Sequence, residues 1–220
     1  IVLDRPNPNG AFTDGPILES EFSSFVGMHA IPLLHGMTVG ELALMIKGQE
    51  WLKSSLKNSL KSTENTKPLD LTVIKVEHHQ RDMVYSLPVK PSPNLPNDQA
   101  IALYASLGFF EATPISIGRG TLFPFQVIGH NNVSIGQFIF TPLSTPGAAV
   151  KPKLMNVALQ GQDLRASKVR GIDLSLLISW FNAFKAQNLE FFTRASFMDK
   201  LSGTDKLRKA IIAGQSAKQI

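Results

Sequence analysis

Glu111 and Arg119 stand eight residues apart, with Gly118 and Gly120 on either side of the arginine. A carboxyl group can protonate a leaving oxygen or serve as base or nucleophile. A guanidinium fork can grip a carboxylate at two points. Flanking glycines let a ligand approach the backbone. Just upstream, Pro91-Ser92-Pro93-Asn94-Leu95-Pro96-Asn97 is stiffened by its prolines and presents Asn94. A rigid irregular loop with polar side chains is costly unless it positions something. Asp4 and Arg5 follow the apolar run Ile1–Leu3, at the strand end where open α/β sheets hold ligands. His35 lies just ahead of a helix start, where anions are favoured. These six residues define a candidate polar binding site on an α/β domain. Each also has a structural reading: a hydrogen-bonded acid for Glu111, a salt bridge for Arg119, packing for His35.

Other chemistries find no support. The 220 residues include no cysteine, which excludes disulfides and thiolate metal sites. His78 and His79 are adjacent and lack carboxylate partners at ligand spacing, so no metal site is expected. Gly118-Arg119-Gly120 is half of a dinucleotide fingerprint, with Phe123 in place of the third glycine, and no cofactor is expected. There is no Walker loop, nucleophile elbow or zinc-protease motif. The net charge of +5 is scattered, without the basic-aromatic interleaving of a nucleic-acid surface. No apolar run approaches the roughly 20 residues that span a bilayer. The chain opens on Ile1-Val2-Leu3-Asp4, which reads as a strand already under way, so a preceding segment is expected, and any export signal with it.

The elements that must position these residues follow from pattern. Thr38-Val39-Gly40-Glu41 is a capping box, and it opens a helix carrying Leu42, Ala43, Met45 and Ile46. A short helix is expected at Ser20–Val26 and a second stretch at Trp51–Leu60. Leu69–Val76 reads as a strand, with a domain boundary just after it, giving units 1–76 and 77–220. Asp98 is expected to cap a helix reaching Leu107. Strands are expected at Phe123–Ile128, Ile135–Thr141 and Leu154–Leu159. Asp173 starts an amphipathic helix whose Leu174, Leu177, Ile178, Trp180, Phe181 and Phe184 read as core. Short helices follow at Phe197–Leu201 and Asp205–Ala213, and another is expected to start at Ser216.

Taken together, several motifs resemble one family. They are Asp4-Arg5-Pro6-Asn7-Pro8-Asn9-Gly10, Ser24-Phe25-Val26-Gly27, His35-Gly36-Met37-Thr38-Val39-Gly40-Glu41, Pro91 to Asn97, Glu111-Ala112-Thr113 and Gly118-Arg119-Gly120-Thr121. The chain resembles the exo-β-N-acetylmuramidases of the NamZ type, long catalogued as a domain of unknown function, and most closely their Bacteroidetes branch. The resemblance covers the whole chain. It implies the C-terminal part of a Rossmann-like catalytic domain, followed by a smaller mixed α/β domain that contributes to a cleft. It implies a glycoside hydrolase that releases N-acetylmuramic acid from non-reducing ends of peptidoglycan fragments, exported to the periplasm or cell envelope. It also implies an upstream part of the protein bearing a Ser-x-Glu-His-Gly type motif, whose glutamate is the leading catalytic candidate. Ile117 stands where many relatives carry an acid, which leaves Glu111 as the catalytic candidate in this chain. Asp4, Arg5, His35, Asn94 and Arg119 are then the substrate-binding candidates. Arg119 and Arg5 are suited to the lactyl carboxylate that distinguishes muramic acid from glucosamine. A non-catalytic muropeptide-binding module is the alternative.

Overall fold

The computed structural model describes residues 1–52 and 69–220, an α/β fold in two compact units. The first holds residues 1–12 and 35–85, the second residues 13–34 and 86–220. The expected helix at Trp51–Leu60 lies outside the described residues beyond Leu52.

In the first unit β1 (Val2–Leu3) pairs in parallel with β4 (Val73–Ile74), Val2 opposite Val73 and Leu3 opposite Ile74. The strand expected over Leu69–Val76 is confined to these two residues. Helix α1 (Val39–Gly48) packs on both strands. Its capping box forms as the sequence predicts. The Glu41 amide donates to Thr38 Oγ1 at 3.2 Å, and the Thr38 amide donates to Glu41 Oε2 at 2.9 Å. Gly40 is glycine because a Cβ there would lie 2.5 Å from Val73 Cγ1 and 2.9 Å from the Asp4 carboxyl carbon. That absence lets the helix start close enough for Asp4 to reach it.

The second unit holds a paired β2 (Thr13–Ile17) and β3 (Pro32–His35) and a three-stranded antiparallel sheet. Neither β2 nor β3 is evident in the sequence, since Gly15, Pro16 and Pro32 interrupt their patterns. The sheet runs β5 (Val127–His130), β7 (Leu159–Asp163), β6 (Phe138–Phe140). Two strands are displaced from their expected positions. Phe125 has a φ of 56°, which breaks extension, so β5 begins only at Val127. Leu154 and Asn156, with φ of 55° and 64°, turn the expected strand at Leu154–Leu159 into a loop, and β7 begins where that stretch ends.

Helix α2 (Asp98–Leu107) is capped by Asn97 and not by Asp98: the Asn97 side chain accepts from the Ala100 amide at 2.9 Å. Asn97 has the extended backbone a cap needs, whereas Asp98 is already helical. A 3₁₀ turn (Gly108–Ala112) follows directly. Helix α3 (Leu174–Ala186) starts after its Asp173 cap and buries Leu177, Trp180 and Phe184. Helices α4 (Ala195–Ser202) and α5 (Lys206–Ile212) are clamped by a two-point Arg208–Asp199 ion pair at 2.7 Å on each arm. The helix expected from Ser216 is a turn, in which Gln219 Oε1 accepts from the Ser216 amide. The core of this unit centres on Trp180, Phe109, Phe110, Phe125, Phe184, Leu103 and Leu107, all at most 2% exposed.

Two expected outcomes test these contacts. In β5 and β7, Gly129 faces Gly161, and a Cβ on Gly161 would sit 1.9 Å from the Ile128 carbonyl oxygen. Gly161→Ala should therefore force the strands apart and cost about 2–4 kcal/mol, read as a lower unfolding midpoint in urea. Asp4→Ala should remove two acceptors from the start of α1, costing about 1–2 kcal/mol there and raising the amide exchange rate of Gly40 about 5- to 30-fold. The same contact should be acid-sensitive. Burial raises the Asp4 carboxyl, but hydrogen bonds from Gly40, Thr38 and Arg5 outweigh this, helped by His79, and hold it below its ordinary 3.8. A carboxyl lowered by folding stabilises above its ordinary value and loses that contribution as pH falls through the lowered one. Protection of Gly40 should follow that course.

Candidate functional site

Three charged side chains meet around the 3₁₀ turn that ends at Ala112. The Arg119 Nε donates to Glu111 Oε1 at 2.8 Å. The Lys153 Nζ lies 3.9 Å from Glu111 Oε2 and donates to the carbonyls of Phe110, Glu111 and Thr113 at 2.9, 3.1 and 2.7 Å. All three side chains are partly exposed: 26% for Glu111, 34% for Arg119 and 31% for Lys153. The Arg119 guanidinium lies over the Phe125 ring, 4.8 Å from its centroid, and Phe125 in turn packs on Tyr104. Among the described residues no protein acceptor meets the two terminal nitrogens of Arg119. The arginine is thus fixed at its inner nitrogen and on one face, and its fork is left open.

The backbone that carries Arg119 is a tight loop. Gly118 and Gly120 both have positive φ, at 78° and 81°. A Cβ on Gly118 would meet the Phe123 carbonyl oxygen at 2.6 Å, and one on Gly120 the Leu143 carbonyl oxygen at 2.4 Å. The space the sequence suggests for a ligand at these glycines is therefore filled by the protein's own backbone. The hydroxyl of Thr121 closes the loop on the Gly118 carbonyl at 2.7 Å.

Burial pulls the Lys153 amine down to about 8; Glu111 opposes this, and repulsion from Arg194 and Arg119 adds to it. The three carbonyl dipoles favour the charged form. Arg194 joins the cluster through its backbone, which donates to the Ala112 carbonyl at 3.2 Å, and its guanidinium covers Phe197. Arg119 and Lys153 flank the Glu111 carboxylate, and the Arg194 charge acts on Lys153, so positive charge outnumbers negative here and the field at this surface attracts an anion. Lys153 and Arg194 were not evident in the sequence, because the lysine acts on carbonyls some 40 positions away and nothing local marks it.

Asn94 belongs to the same unit and is buried. Its side-chain amide donates to the Ala148 carbonyl at 3.0 Å, pinning the Pro91–Asn97 loop onto the loop at 142–152. That second loop also donates from the Leu143 amide to the Gly120 carbonyl at 2.8 Å. Asn94 is thus linked to the arginine loop through an intermediary.

Asp4, Arg5 and His35 gather at the start of α1 in the first unit. Asp4 Oδ1 accepts from the Gly40 amide at 2.7 Å and Oδ2 from the Thr38 hydroxyl at 3.1 Å, so its carboxylate occupies the helix terminus where an anionic ligand would sit. The Arg5 carbonyl accepts from the Val39 amide at 3.2 Å, while its side chain is exposed. His35 Nδ1 accepts from the Met37 amide at 3.1 Å, and burial keeps the imidazole below its ordinary pKa. Glu41, beyond its capping role, pairs with Arg81, which also donates to the Gly36 carbonyl at 2.7 Å. Among the described residues no group of three or more potential ligands is placed to hold a metal, and no helix is long and apolar enough to cross a membrane.

Similarity to known proteins places the chain in a family. A solved DUF1343 family protein from Bacteroides fragilis is 43% identical and superimposes with a TM-score of 0.85, covering 99% of this chain and 59% of its own. A second DUF1343 structure from that organism, 23% identical with a TM-score of 0.73, shares the fold over 95% of this chain and 57% of its own. The peptidoglycan beta-N-acetylmuramidase NamZ of Bacillus subtilis is 36% identical over the whole chain, which spans 54% of that protein's length. The family description "Exo-beta-N-acetylmuramidase NamZ, N-terminal" matches residues 1–99, and its C-terminal counterpart matches residues 102–220. With both halves matched in order, the chain belongs to the exo-beta-N-acetylmuramidase NamZ family.

Proposed function

We propose that the protein acts on peptidoglycan-derived saccharides as an exo-β-N-acetylmuramidase, releasing N-acetylmuramic acid from non-reducing ends, and that Arg119 reads the lactyl carboxylate of that sugar. The observation that carries this is the open fork of Arg119. Its Nε is held by Glu111 and its face by Phe125, while its terminal nitrogens meet no protein acceptor among the described residues. A carboxylate ligand completes such a fork, and an analogue without the carboxylate leaves it unpaired, which penalises binding. Lys153 and Arg194 reinforce the attraction. Such a substrate implies an exported protein, periplasmic or at the cell envelope. In this reading residues 1–76 are the end of a Rossmann-like catalytic domain, where Asp4, Arg5 and His35 contribute to substrate binding, and residues 77–220 form the smaller domain, where Asn94 does so.

Glu111 is the acid this chain brings to the cluster. Glycoside cleavage needs one group to protonate the leaving oxygen and another to act as base or nucleophile, a role that an N-acetyl sugar's own carbonyl oxygen can take. Paired with Arg119 and close to Lys153, Glu111 is arranged to accept hydrogen bonds, which suits a base or an electrostatic partner better than a proton donor. The same pairing favours a second reading, a muropeptide-binding module without catalysis. Incubation with para-nitrophenyl N-acetylmuramic acid separates the two: release of nitrophenol supports the enzyme, and saturable binding without release supports the module.

Replacing Arg119 with lysine tests the recognition step. An ammonium cannot reproduce a two-point fork. Arg119→Lys should lose about 2–3 kcal/mol of pairing to the muramic acid substrate. That is about 30- to 150-fold in kcat/KM, or in affinity if the protein only binds. Melting temperature should change little, since Gly118 and Gly120 set the local backbone. A lower melting temperature with unchanged kcat/KM would instead mark Arg119 as structural.

A further inference from the structure

We infer that Lys153 is the positioning residue of this site: by holding the carbonyls of Phe110, Glu111 and Thr113, it fixes the turn that carries Glu111, and through Glu111 the direction of the Arg119 fork. The functional half of this inference rests on Arg119 reading a carboxylate; the geometric half stands without it. At the end of a 3₁₀ turn several carbonyls lose their partners and point the same way. Here three carbonyls converge on one nitrogen within 2.7–3.1 Å: those of Glu111 and Thr113, and that of Phe110, which also accepts from the Thr113 amide and hydroxyl. An ammonium has three hydrogens, and each has a carbonyl to meet. None is left for Glu111 Oε2, so the 3.9 Å contact is one of charge alone. Lys153 therefore acts on Glu111 twice. It anchors the backbone from which that side chain springs, and it draws the free carboxylate oxygen to its own side, leaving Oε1 for the Nε of Arg119.

The surroundings make stability an incomplete account of this lysine. It sits partly buried among the like charges of Arg119 and Arg194. Burying an amine beside two guanidinium groups is unfavourable, and a single carboxylate only partly offsets it. The one feature that needs a compact three-donor cation is the convergence of carbonyls beneath Glu111. Arginine offers a planar fork instead, whose fixed geometry cannot meet three converging oxygens equally well.

The test uses the protein with ¹⁵N-labelled arginine and follows the Arg119 Nε–H resonance, together with the ratio of dissociation constants for N-acetylglucosamine and N-acetylmuramic acid. Lys153→Met keeps an unbranched side chain one atom shorter and removes the donors. In this variant, with folding verified by circular dichroism, exchange of the Arg119 Nε–H with water should rise at least about tenfold as the Glu111 pairing loosens. The preference for N-acetylmuramic acid should fall by a similar factor. Should Lys153→Met fail to fold, Lys153→Arg keeps the charge and should show the same changes at smaller size. An unaltered Arg119 resonance and an unaltered preference in either folded variant would overturn the inference. A loosened resonance in a protein that has no preference in its native form would uphold the positioning role and reject Arg119 as the reader of the lactyl group.

Discussion

One ammonium group organises the candidate site. A 3₁₀ turn leaves carbonyls unpaired at its end, and buried carbonyls without donors are costly. In the second unit the turn at Gly108–Ala112 is followed at once by Thr113-Pro114, where proline has no amide hydrogen to give. The chain therefore supplies donors from elsewhere. The Arg194 backbone takes the Ala112 carbonyl, and Lys153 takes those of Glu111 and Thr113 and adds a further donor to Phe110, whose carbonyl already accepts from the Thr113 amide and hydroxyl. Because both donors carry charged side chains, satisfying the backbone also brings positive charge to this surface. The electrostatics of the site thus follow from a hydrogen-bonding requirement of the turn.

The first unit solves the complementary problem with the opposite charge. The start of a helix leaves amides unpaired, and an anion is favoured there. Asp4, Thr38 and Glu41 supply the acceptors, and Arg81 is held in turn by Glu41 and the Gly36 carbonyl. Gly40 is the condition for this, since any side chain would strike Val73 and Asp4. The consequence for function differs between the units. At α1 the anion is the protein's own, and Asp4 already occupies the terminus. At Arg119 the protein's own anion takes only the inner nitrogen.

How much of this was legible in the sequence depended on range. The capping box at Thr38–Glu41, the Asp173 cap and the buried face of α3 were legible because their partners lie within a few residues. The α/β class was legible for the same reason. The strand shifts were not. Phe125 and Leu154 carry no mark of the positive φ they adopt, and Asn156, though of a type that tolerates it, does not by itself place a turn. Glu111 and Arg119 stood out as a pair, eight residues apart and chemically matched. Lys153 did not, because a lysine that satisfies distant carbonyls looks like any other lysine in a Pro-rich loop. Gly118 and Gly120 were noticed for the right property, an absent side chain, but the room it leaves goes to Phe123, Leu143 and Pro152.

In the proposed reading, the filled space at these glycines decides where specificity arises. If the glycines had left an open hollow, a sugar could lie against the backbone and be read by its shape. Their space is filled, so the loop instead behaves as a rigid mount. Its outward charged group is the arginine, which has a defined orientation from Nε to Glu111 and from its face to Phe125. A side chain held at two points has little rotamer entropy left to lose when a carboxylate arrives. The surrounding cations raise the local attraction for that carboxylate, but without a fixed two-point geometry they add less to discrimination than the fork does. In the proposed reading Glu111 serves recognition as well as chemistry, since it sets the orientation of the fork. This division of labour supports reading residues 111–119 as the element that selects the sugar.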